Sequence, residues 1–77
     1  MFTLEKSESL LRDLKERLSM RTYKNPSLIE ISLQLSIENN EDPVRIITML
    51  SDMIRDNARA ITDIIGWELT EKIKTNV

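Results

Sequence analysis

Asp52, Asp56 and Asp63 recur near one face of a helical pattern. Carboxylates grouped in this way are the oxygen donors that a hard cation such as Mg²⁺ or Ca²⁺ takes. Arg55 and Arg59 interleave with them at i,i+3 and i,i+4 spacing, which is the pattern of a mutually neutralised, solvated surface. The rest of the chemical inventory is sparse. The chain has no cysteine and no histidine. A thiol nucleophile, a disulfide framework, the commonest general base and the commonest transition-metal ligand are therefore all missing. Carboxylates, hydroxyls, lysines and the phenol of Tyr23 remain, and a single glycine gives no loop that could cradle a phosphate. These residues point to a protein that is not an enzyme and that uses no cofactor, no metal and no small-molecule substrate.

The elements that carry these side chains must come from 77 residues, of which 40% are hydrophobic and 31% charged, with a formal net charge of −2. A chain this short buries only about 60% of the surface its unfolded form exposes. Stability then calls for a disulfide, a metal, oligomerisation or a closely fitted core. The first two lack their residues. Twenty of the apolar residues are Leu or Ile, and one Gly with two Pro leaves few helix breakers. The composition is that of an all-α protein. The expectation is one domain over residues 1–77, a small bundle of three or four helices completed by dimerisation.

The first helix is expected over about Thr3 to Lys24. Leu4, Leu11 and Leu18 recur every seven residues with Leu14 between them, a narrow leucine stripe of the kind that forms a helix–helix seam. Thr3 can cap the start. Glu8–Arg12 and Asp13–Arg17 are acid-before-base pairs at i,i+4. Asn25-Pro26 ends the segment, because the residue before proline is pushed out of the α region.

The second segment, about residues 27–39, carries two signals. Ile29, Ile31, Leu33, Leu35 and Ile37 alternate with Glu30, Ser32, Gln34, Ser36 and Glu38, and alternation at period two is a strand pattern. The flanks read as helix: Asn25-Pro26 can serve as cap and first-turn proline, and Ser27-x-x-Glu30 matches a capping box. On a helical wheel the apolar residues fall into two groups separated by Ser32 and Ser36.

The third segment, about residues 42–74, opens on Asp42-Pro43, a cap followed by proline at the first helical position. Val44, Ile47, Leu50, Ile54, Ala58, Ile61, Ile65 and Leu69 then hold helical spacing. Unbroken, this helix would be about 50 Å long at 1.5 Å per residue. A globule of this size is only about 30 Å across. Either the helix breaks near Asp56-Asn57, or it needs a partner chain. Gly66 lies inside the pattern and could admit the close approach of another helix.

If the alternating segment is a strand, residues 28–74 take the order β-α-α. That resembles the ribbon-helix-helix family of DNA-binding regulators, whose dimers pair their strands and set the ribbon in the major groove. The resemblance implies that Glu30, Ser32, Gln34, Ser36 and Glu38 face the bases. It is the alternative to the main expectation, a protein–protein interaction module serving as a small adaptor, inhibitor or regulator.

For that module the candidate interface residues are Leu4, Leu11, Leu14, Leu18 and Trp67. A lone tryptophan combines a large buried area with an N–H for a partner. Residues 1–24 hold six bases and four acids, whereas residues 25–77 hold five bases and nine acids. Arg12, Lys15, Arg21 and Lys24 are the candidate patch for an anionic partner. The expected partners are a second copy of the chain and an unidentified protein, with nucleic acid only under the alternative. No apolar run is long enough for a membrane span, and Met1-Phe2-Thr3-Leu4-Glu5-Lys6 lacks the basic start and apolar core of a signal peptide. A cytoplasmic location is the expectation.

Overall fold

Side-chain caps mark where four of the helices begin. The computed structural model describes residues 2–21, 25–39 and 42–75. They form five helices: α1 (Leu4–Ser19), α2 (Leu28–Glu38), α3 (Pro43–Asp56), α4 (Ala58–Ile65) and α5 (Trp67–Thr75). Thr3, Ser27, Asp42 and Asn57 cap the first four, each accepting a hydrogen bond from a first-turn amide. Such a cap satisfies one of the amides that a helix start leaves without a partner.

The small helical bundle is present, with more helices than the three or four expected, because the C-terminal segment breaks twice. The first break falls at Asn57, whose φ of −153° leaves the helix and whose side chain accepts from the Ala60 amide. The second falls at Gly66, with φ +87° and ψ 161°. That corner of backbone space belongs almost only to glycine. A Cβ there would meet Arg17 Nη1 at 3.5 Å, an ordinary contact. Gly66 is therefore required by its backbone angles, not by the close approach of a helix.

The β-α-α alternative is corrected. Residues 28–38 are helical, so Glu30, Ser32, Gln34, Ser36 and Glu38 share no ribbon face. Half of the capping box is made: Ser27 Oγ accepts from the Glu30 amide at 3.2 Å, while the Glu30 carboxylate turns to Arg21, and Pro26 stands before the cap, outside the helix. α1 also ends sooner than expected, at Ser19 instead of Lys24. Ser19 Oγ donates to the Glu16 carbonyl, and the Arg21 amide bonds the Leu18 carbonyl in a tight i→i+3 closure. Lys24 lies outside the described residues.

α1 is the hub, in contact with the other four helices. Leu14, Ile47, Leu50 and Ile61 are fully buried at the centre, and Ile46, Ile65, Leu69 and Ile73 extend the same cluster. α1 and α5 run antiparallel, tied by Asp13–Lys72 at 3.3 Å and Arg17–Glu68 at 3.1 Å. Asp13 and Arg17 thus find partners on α5 instead of the i,i+4 pairing their spacing suggests. The Cα radius of gyration is 11.4 Å, against about 11.5 Å for a compact chain of this length.

Candidate functional site

α2 is the helix whose apolar residues exceed what the bundle can cover. At 100° per residue, Ile29, Leu33 and Ile37 fall on one side, while Leu28, Ile31 and Leu35 fall on the other. Leu33 is fully buried, and Ile29 and Ile37 pack partly buried against the core. α2 makes its main contacts with α1 and α3. The opposite side stays in solvent: Leu28 is 82% exposed, Leu35 52% and Ile31 38%. These three stand at i, i+3 and i+7, a stripe along the outer face. The period-two alternation was the signal for it, since a helix must turn half of such a run outward.

Glu30 lies on the inner side and is buried. Its Oε1 sits 2.6 Å from Arg21 Nε, with the two side chains 4% and 19% exposed. Arg21 Nη1 also donates to the carbonyl oxygens of Asp63 and Ile64 at 2.7 and 2.8 Å. These carbonyls lie in the last turn of α4, where a helix has no amides of its own to offer and carries partial negative charge. One guanidinium therefore holds the end of α4 and the start of α2 together. An open cleft of about 310 Å³ lies beside this junction, bordered by Pro26, Ile29, Ala60 and Ile64 among others.

The candidate residues separate into three groups. Leu11, Leu14 and Leu18 are buried in the chain's own core. From Leu11 to Leu18 the stripe thus lies within the chain's own core, on the helix that contacts the other four. Leu4 and Trp67 are outward, 55% and 68% exposed. Of the basic residues, Arg21 is engaged by Glu30 and the α4 carbonyls of Asp63 and Ile64. Arg12 and Lys15 are exposed. They border a cleft with Pro43, and Lys15 also stands with Gln34 and Glu38 between α1 and α2.

Arg55 pairs with Asp52 at 3.2 Å and with Asp56 at 3.9 Å. Among the described residues no group of three or more ligating side chains could hold a metal ion. No helix among them is long and apolar enough to cross a membrane. In comparisons with known proteins, no family model, no curated protein and no solved structure matches this chain.

Proposed function

We propose that this chain is a non-enzymatic protein–protein interaction module, a small adaptor, inhibitor or regulator, and that it docks through the outer face of α2. The exposure of Leu28, Ile31 and Leu35 along one face of a single helix carries the reading. Isolated apolar residues on a surface are ordinary, whereas an aligned set of them costs solubility and marks a contact site. Helix-on-helix recognition reads such i, i+3, i+7 anchors. The short polar side chains of Ser32 and Ser36 flank the stripe and let another helix come close.

Capture from a native extract tests the reading. The immobilised chain is expected to retain a protein that an immobilised Leu28→Ser/Leu35→Ser variant of equal stability does not. Equal retention by both would refute α2 as the docking face.

A further inference from the structure

We infer that the outer face of α2 takes a second copy of the same chain, the two α2 helices packing antiparallel about a two-fold axis close to Ile31 and Ser32. This rests on the reading of that face as a docking surface, and it names the occupant. In such a pair Leu28 of each copy lies opposite Leu35 of the other.

Charge supports the choice of occupant. Between Leu28 and Ile37 the one ionisable side chain is Glu30, and it is turned inward against Arg21. In a chain with 31% charged residues, a ten-residue stretch with no outward charge is a local departure. In an isologous contact each group meets its own symmetry neighbours, so a charge-free stripe pairs with itself without repulsion. The same stripe offers nothing to attract a strongly charged partner. It also lacks the Lys and Arg that interfacial membrane helices carry beside their apolar face.

Charge also sets the direction. Glu38 closes the stripe at the C-terminal end of α2, and the last turn has no base to offset the helix dipole. Antiparallel packing lays each Glu38 beside the partner's positive helix start, whereas parallel packing would set the two carboxylates side by side.

Area sets the strength. The three stripe residues offer about 300 Å² per copy, and with the polar rim a pair buries on the order of 1,000 Å², the low end for a specific interface. The dimer is accordingly weak and reversible, as suits a bundle whose own core is closed.

Sedimentation equilibrium and cysteine crosslinking of the full chain test this together. The mass is expected to rise from monomer at about 10 µM toward dimer at about 1 mM. The Leu28→Ser/Leu35→Ser variant is expected to stay monomeric with its melting temperature unchanged. The chain has no cysteine, so single thiols can be placed cleanly. Ser32→Cys, near the axis, is expected to form a disulfide dimer about ten times faster than Ser9→Cys on the exposed side of α1. A monomer at every concentration overturns the inference, as does equal crosslinking by the two thiols. Neither result touches the capture experiment, which decides the docking face for other partners.

Discussion

Arg21 Nε and Glu30 Oε1 stand 2.6 Å apart at the junction of α1, α2 and α4. The pair ties the α1–α2 connection to α2, and the arginine also caps the α4 carbonyls of Asp63 and Ile64. Removing one member of a buried pair leaves the other charge without compensation, at a cost of about 3–5 kcal/mol. Arg21→Ala is therefore expected to lower stability by roughly 3 kcal/mol in urea denaturation. The double variant Arg21→Met/Glu30→Leu is expected to recover most of that loss, because an apolar pair of similar volume carries no desolvation penalty. A double variant no more stable than Arg21→Ala would show that the α4 cap, not the ion pair, is the larger contribution.

Gly66 supplies a second prediction. Its φ of +87° with ψ 161° is strained for any residue with a Cβ. Gly66→Ala is expected to destabilise by about 1–3 kcal/mol, a drop of roughly 4–8 °C in Tm per kcal/mol for a domain of this size. Inside a continuous helix the same change would instead stabilise by up to about 1 kcal/mol. The sign of the shift in a thermal melt thus distinguishes a break at Gly66 from a helix running through it.

Ser7 is fully buried, and its Oγ has no hydrogen-bond partner among the described residues. Ser7→Ala removes a desolvated hydroxyl and introduces the best helix former. It is expected to raise stability by about 1 kcal/mol or more, read as a higher urea midpoint at unchanged m-value.

The leucines divide by face. Leu14 is fully buried and Leu28 is 82% exposed. Leu14→Ala is expected to cost about 2–5 kcal/mol through lost contacts and the cavity left behind. Leu28→Ala is expected to move stability by less than about 0.5 kcal/mol, measured on the dilute chain. Similar losses at both sites would place the outer face of α2 inside a core.

Much of the fold is legible in local chemistry. Thr3, Ser27, Asp42-Pro43 and Asn57 each sit where a helix starts, and each acts through an amide within three residues. The break at Gly66 is hidden, because Ile65 and Leu69 continue the helical spacing across it and a lone glycine also fits a helix interior. The early end of α1 is hidden for a different reason. Arg21 leaves the helix to meet groups that are 42 and 43 residues away in sequence. The leucine stripe is legible as a seam but not as to which seam, since Leu11, Leu14 and Leu18 are buried in the core of the same chain. The face on α2 lay in plain view as alternation. Its meaning changed once Ser27 capped a helix, because a period-two run on a 3.6-residue turn must show apolar side chains on two sides.

Association through the outer face of α2 is tested most directly by ¹⁵N-resolved NMR of the full chain over a dilution series from about 1 mM to about 20 µM. Amide shifts are expected to move with concentration along Leu28–Asn39, largest near Ile31 and Ser32, while the buried residues of α3 and α5 stay fixed. Shifts independent of concentration, or shifts centred on Leu4, Arg12 or Trp67, would contradict it.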